Sequence, residues 1–289
     1  MQLMTLITIV WGIISCLHIS RISAQECPAD RYKQWAYNPY YPNGPLNWKD
    51  TYYNCKGKSQ SPINIITSIV NRGKGRQYLK LRGYEIPLTN VKIENKGYTI
   101  EITPRDGIKR SIDLDNVRYN LKSFHFHWGN LQTEGSEHKI NGRQYAMEVH
   151  FVHKNDQGKL AVVGVLFQES NVKNLALDVI LSARDEYLYK DETFEGTIRQ
   201  KGKMAKIYLE DLVDNGCSLY RYSGSLTTPP CTENVTWLVC KAIKYVKRSQ
   251  MRKLFLLYSV RRGTGNKETC ILINNHRNIQ PLNGRIIYS

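Results

Sequence analysis

The chain has 289 residues, of which 41% are hydrophobic and 23% charged, and its formal net charge is +16. Such a composition suits a globular chain with a full core and excludes a low-complexity or disordered one. Lys and Arg are spread along the chain without a like-charge block or an arginine-rich arm. That distribution argues against nucleic acid and leaves an acidic extracellular matrix or another polyanion as the partner a basic surface would attract.

Residues 1–24 read as a signal peptide: an apolar run over 6–14, then Ser23-Ala24-Gln25 with a small residue where a peptidase would cut. The usual positive start is missing. A signal anchor is the alternative, but Cys16, His18 and Arg21 interrupt the run well short of the ~20 apolar residues of a membrane span. The last residues, 284–289, are too short for a lipid-anchor signal. The expectation is a secreted, extracellular protein with a net charge of about +15, since only Arg21 leaves with the leader. Cys16 leaves too, and the six that stay are Cys27, Cys55, Cys217, Cys231, Cys240 and Cys270. An even number in an exported chain favours disulfides, and no CxxC pair suggests a thiolate metal site.

From about residue 30 to 289 no linker divides the chain, so one domain is expected. Strands are expected at 91–94, 98–102, 123–128, 147–152 and 160–167, where apolar, β-branched or aromatic residues dominate or alternate with polar ones. Asn95-Lys96-Gly97 and Asn141-Gly142 are turn signals. Helical periodicity is confined chiefly to 175–180 and 249–255. These elements imply a mixed α/β, sheet-dominated domain with a large, mostly antiparallel twisted sheet and short peripheral helices.

His125 and His127 stand one residue apart on a strand-like run, so both project from the same face, roughly 6.5–7 Å apart along it. His150 lies on another such run and can complete the set from a neighbouring strand. Three neutral imidazoles leave one tetrahedral position open, the arrangement of a catalytic zinc site. Spacing alone supports a metal site only moderately.

The flanks are more specific. Phe124-His125-Phe126-His127-Trp128-Gly129, Gly135-Ser136-Glu137-His138 and Tyr145-Ala146-Met147-Glu148-Val149-His150 closely resemble the α-class carbonic anhydrases. So do Ser59-Gln60-Ser61-Pro62-Ile63-Asn64-Ile65, Gly224-Ser225-Leu226-Thr227-Thr228-Pro229-Pro230 and Gln280-Pro281-Leu282. The resemblance runs in the family's order from about Trp35 to Arg285. It implies a Zn2+ enzyme that reversibly hydrates CO2 to bicarbonate and a proton, with His125, His127 and His150 as ligands. Thr227 matches the residue that orients the attacking oxygen, Glu137 the carboxylate that takes the Thr227 hydroxyl proton, and Thr228 a bicarbonate contact. Val152, Val162, Leu226, Val235 and Trp237 match the apolar side of the cavity, which receives uncharged CO2.

Behind the ligands, Glu148 matches the partner of the third histidine and Asn275 the backbone carbonyl partner of the second. Ser123 stands where cytosolic vertebrate members have Gln behind the first, and is too short to reach the imidazole without a water. Tyr98 occupies the place of the proton-shuttling histidine of the most active members. With an ordinary pKa near 10 it is a poor relay at pH 7, so proton transfer is expected to limit turnover. Tyr37 matches a tyrosine on the family's water network.

Exported members bridge the positions of Cys55 and Cys231; the other four cysteines allow three pairings that the sequence leaves open. The one glycosylation sequon, Asn234-Val235-Thr236, falls on an expected core strand, where a buried acceptor would not carry a glycan. The competing function is a carbonic-anhydrase-like matrix or binding protein that has lost catalysis, against which stand three intact histidines with Thr227 and Glu137. The acidic or Gly-Asn repeats of a mineral-binding chain are absent.

Overall fold

The computed structural model describes residues 27–73, 78–264 and 269–289. The expected leader, 1–24, lies outside them. Eleven strands form one large sheet: β1 (Leu81–Arg82), β2 (Val91–Asn95), β3 (Ile100–Pro104), β4 (Ser111–Leu114), β5 (Val117–Trp128), β6 (Met147–Lys154), β7 (Leu160–Ser170), β8 (Thr193–Gly196), β9 (Leu219–Ser225), β10 (Glu233–Cys240) and β11 (Lys244–Lys247). Its main path runs β8-β2-β3-β5-β6-β7-β10-β9; β4 pairs with β1 and β5, and β11 with β7. Pairing is antiparallel except that β10 and β11 both run parallel to β7. The expected sheet-dominated fold is therefore observed, mostly but not strictly antiparallel. Helices are short and peripheral, with Leu175–Ser182 and Arg248–Leu254 the longest among the described residues.

Period-2 alternation divides the central strands between two apolar clusters. Phe124, Phe126 and Trp128 of β5, Val149 and Phe151 of β6, and Ala161, Val163, Val165 and Phe167 of β7 enter the main core. Val162 and Leu166 of β7 face the other way, with Val235, Trp237 and Val239 of β10, into a second cluster. One face of the sheet is packed for stability, leaving the opposite face of β5 and β6 for polar side chains. Register seats them: His125 is directly opposite His150, and His127 opposite Glu148.

The turns follow their sequence signals. At Asn95-Lys96-Gly97 the Asn95 Oδ1 accepts the Gly97 amide at 2.8 Å, and Gly97 takes φ 76°, a left-handed conformation that glycine adopts freely. Asn141 and Gly142 both have positive φ, 50° and 81°. Cys55 pairs with Cys231, as the resemblance implied, and the open choice resolves to Cys27–Cys270 and Cys217–Cys240.

The expected burial of Asn234 is not observed. The register of β9 and β10 shifts between Gly224 and Ser225, which pair with Val235 and Glu233 and leave Asn234 without a cross-strand partner. Such a β-bulge re-aims the extra residue. Asn234 is exposed at φ 63°, while Val235 and Trp237 beside it stay buried.

A buried histidine makes the fold sensitive to acid. His153 on β6 is fully buried; its Nδ1 lies 2.9 Å from the Phe151 carbonyl and its Nε2 2.7 Å from the Tyr84 hydroxyl. Burial lowers its pKa from an ordinary 6.5 to about 4. A lowered histidine pKa favours folding fully above pH 6.5, and that contribution fades as pH falls through 4. At 1.36 kcal/mol per pKa unit the loss is on the order of 3 kcal/mol. Urea denaturation between pH 7.5 and 4 should show stability falling less steeply in His153→Gln than in the parent; identical slopes would contradict this origin.

Candidate metal centre

The three histidines singled out in the sequence come together. β5 presents His125 and His127 on one face, and β6 places His150 across from them. Their ring centroids are 5.0 Å (His125–His127), 5.3 Å (His125–His150) and 4.4 Å (His127–His150) apart. One nitrogen from each lies within 4.8 Å of the others. Burial lowers the pKa of all three, to about 4 for His127, and neighbouring imidazoles push the same way. Neutral rings keep lone pairs free for a metal.

Hydrogen bonds decide which nitrogen faces inward. His127 Nδ1 is 2.7 Å from the Asn275 carbonyl oxygen, which can only accept, so Nδ1 carries the proton and Nε2 the lone pair. His127 Nε2 is buried and has no hydrogen-bond partner among the described residues. An orphaned acceptor at that depth costs ~1–3 kcal/mol unless something fills its place, and a metal ion bound by three imidazoles does so. Asn275 is fixed in turn: its Oδ1 accepts the Trp128 amide at 2.6 Å, and its Nδ2 donates to the Phe126 and Tyr98 carbonyls at 3.0 and 2.9 Å.

His150 is held by its other nitrogen, Nε2, 2.8 Å from Glu148 Oε1. Glu148 is wholly buried and accepts three more bonds: from His138 Nδ1 at 2.7 Å, and from the Glu137 and His138 amides at 2.9 and 2.8 Å. Burial pushes its carboxyl up, but His138 and His150 beside it win and hold the pKa well below the usual range. His138, Glu148 and His150 also form a compact set. Their facing atoms are spent on one another, so this second set is a scaffold rather than a metal site. It continues through His138 Nε2 to the Tyr222 hydroxyl at 2.7 Å and from there to Ser61 Oγ at 2.8 Å. Gly164 makes room, since a Cβ there would fall 2.8 Å from Glu148 Oε1.

Glu137 is buried beside the cluster. Its Oε1 accepts the Arg277 amide at 2.8 Å and lies 3.6 Å from His127 Nδ1. Burial raises its pKa to about 7, opposed first by His150 and then by the Thr227 hydroxyl. Thr227 is close enough to bear on that carboxyl, although Glu137 Oε2 completes no hydrogen bond. The Thr227 loop is tied down by the Cys55–Cys231 bridge and by the Cys231 amide, which donates to the Thr228 carbonyl at 2.8 Å. Val162, Val235 and Trp237 lie in the second apolar cluster, with Val152 and Leu226 half-buried against it. Trp237 packs its ring 4.8 Å from His150.

Tyr98 leans on Trp35 with centroids 4.7 Å apart, and burial followed by Glu101 raises its pKa above 10. The Tyr37 hydroxyl is buried without a hydrogen-bond partner among the described residues. The Ser123 hydroxyl donates to Glu101 Oε2 at 3.1 Å. A cavity of about 1010 Å³ opens against Tyr98, lined also by Lys33, Trp35, Tyr37 and His276, but none of the three clustered histidines reaches it.

Sequence reasoning did not assign roles to His138, Tyr222, Ser61, Gly164, Arg277 or Glu101. His138 was adjacent to Glu137 in a quoted motif. The others lie far from the ligands in sequence and are recruited by packing. Arg277 Nη1 donates to Gln60 Oε1 and the Ser61 carbonyl, both at 2.9 Å.

Residues 43–289 match the family described as eukaryotic-type carbonic anhydrase. The chain is 32% identical over 252 residues to carbonic anhydrase 6 of Canis lupus familiaris, covering 84% of this chain and 76% of that protein. It is 31% identical over 259 residues to carbonic anhydrase 1 of Mus musculus and 32% identical over 272 residues to carbonic anhydrase 3 of Bos taurus. Each alignment covers 88% of this chain and 97% of the relative.

Replacing Glu148 by Gln puts an NH2 where only acceptors fit and disturbs the bond to His150. Loss of such an outer partner costs ~10–100-fold in metal affinity. Competition against a chelator should show zinc binding weakened by that order in Glu148→Gln; unchanged affinity would remove Glu148 from the centre's support.

Proposed function

This chain belongs to the eukaryotic-type carbonic anhydrase family, and on that premise we propose that it reversibly hydrates CO2 at a zinc ion held by His125, His127 and His150. What supports the metal assignment most directly is the buried, unpartnered Nε2 of His127, whose tautomer the Asn275 carbonyl fixes. Zinc held there would supply Lewis acidity, lowering the pKa of water to roughly 7.

The chain's own residues do the rest. The Thr227 hydroxyl donates its hydrogen bond to Glu137, which leaves the hydroxyl oxygen as an acceptor that aligns the attacking lone pair. Glu137 is kept in place for this by the Arg277 amide. Val152, Val162, Leu226, Val235 and Trp237 form a dry wall on which neutral CO2 rests without competition from charged ligands. The Thr228 hydroxyl contacts bicarbonate before it leaves. Asn275 and Glu148 preserve the aim of His127 and His150 through the cycle.

The released proton has no fast carrier at position 98. A phenol whose pKa lies above 10 neither accepts nor donates readily at pH 7. Turnover is therefore limited by proton transfer and falls below the ~10⁶ s⁻¹ reached by the family's fastest members.

Export of the chain is part of this proposal. Residues 1–24 have the composition of a leader, and six cysteines form three disulfides, bonds typical of oxidising compartments. No helix among the described residues is long and apolar enough to cross a membrane. The basic surface gives an acidic extracellular matrix something to hold: Arg199, Lys201, Lys203 and Lys206 are all exposed around a single hairpin.

Stopped-flow CO2 hydration tests the catalytic proposal. The parent should be active, inhibited by a sulfonamide, and accelerated by rising buffer concentration, with His127→Ala inactive. Tyr98→His should raise kcat several-fold at low buffer while leaving kcat/KM nearly unchanged. Equal kcat in the two proteins at low buffer would contradict a proton-transfer limit, and absence of hydration in zinc-loaded parent would contradict the function.

A further inference from the structure

We propose that Asn234 carries an N-linked glycan on the folded, exported enzyme. The assignment rests on the export proposed above, because the sugar is added only in the secretory compartment. Asn234-Val235-Thr236 is the chain's single Asn-x-Ser/Thr sequon. In a regular strand, its place beside the apolar residues of β10 would leave little room for a sugar. The bulge changes that. Gly224 pairs with Val235 and Ser225 with Glu233, so the ladder skips Asn234.

Its left-handed φ of 63° is one that asparagine tolerates better than most residues. Asn234 is exposed, and its side chain makes no hydrogen bond among the described residues, so nothing has to be broken to free the amide. Nearby Pro230 and Thr232 are exposed as well. Val235 and Trp237 remain 1% exposed, so a sugar on the bulge projects away from the apolar wall they build.

The donor is an oligosaccharide linked through pyrophosphate to a lipid. Asn234 Nδ2 attacks the anomeric carbon of its first sugar, forming a C–N bond as the C–O bond to pyrophosphate breaks. The lipid pyrophosphate departs with the bonding electrons, and the amide nitrogen gives up one proton. No oxidation or reduction is involved. Transfer meets the chain in an extended state; what the native fold decides is whether a modified Asn234 can be housed, and the bulge houses it.

Translation of the full chain in the presence of microsomes gives the test. The protease-protected product should be heavier by one glycan, return to the unmodified size after treatment with peptide N-glycosidase, and then show Asp at 234 by peptide mass spectrometry. Asn234→Gln and Thr236→Ala should each be protected but unshifted, and Asn234→Gln should retain CO2 hydration. A parent chain that is protected yet unshifted would overturn the glycan assignment alone. A parent chain left unprotected would overturn export and this assignment together, so the two failures are separable.

Discussion

The centre depends on one buried charge. Glu148 has no exposed surface, and a carboxylate in that position is tolerable only if its lone pairs are taken up. Four donors take them up, and each fixes something the chemistry uses. The His150 ring is fixed in orientation, His138 is pinned as a brace, and the amides of Glu137 and His138 lock the segment that presents the Glu137 carboxyl. β6 and the 137–138 segment are thereby fastened together around a single side chain. Gly164 on the neighbouring strand is there because no larger residue clears the same oxygen.

The sheet supplies the complementary constraint. Because side chains alternate, each residue between two ligands is committed to the opposite face. Phe126 between His125 and His127, and Val149 and Phe151 around His150, all pack into the main core. Rigidity of the histidine cluster is therefore inherited from hydrophobic packing on the far side of the same strands. The departures from the family's pattern, Tyr98 and the Ser123–Glu101 pair, lie outside the bonds that hold Glu148.

Much of this was legible in the sequence for a physical reason. Period-2 alternation marks β5, β6 and β7, and two histidines at i and i+2 must share a face, so His125 and His127 were paired before any coordinates. His150 was offered by a second strand-like run, and Glu148 and Asn275 by the resemblance; in the structure Glu148 Oε1 lies 2.8 Å from His150 Nε2 and the Asn275 carbonyl 2.7 Å from His127 Nδ1. Legibility ended where long-range pairing decides. Four cysteines with three pairings could be resolved only by knowing that 27 lies beside 270. The bulge at Asn234 is a register event between two strands, invisible in either alone, and it inverted the expected burial. Tyr222 and Ser61 join the His138 bond chain from positions 161 residues apart, and although Ser61 falls in a motif of the resemblance, nothing local pairs it with Tyr222.

The central claim is that three neutral imidazoles, two of them fully buried, converge on one zinc ion. Metal analysis of the purified chain after dialysis against limiting free zinc tests it most directly, with His127→Ala handled in parallel. The account predicts one zinc per parent chain and none retained by the variant at the same free zinc. A parent chain that stays zinc-free, or a variant that holds zinc as well as the parent, would contradict it.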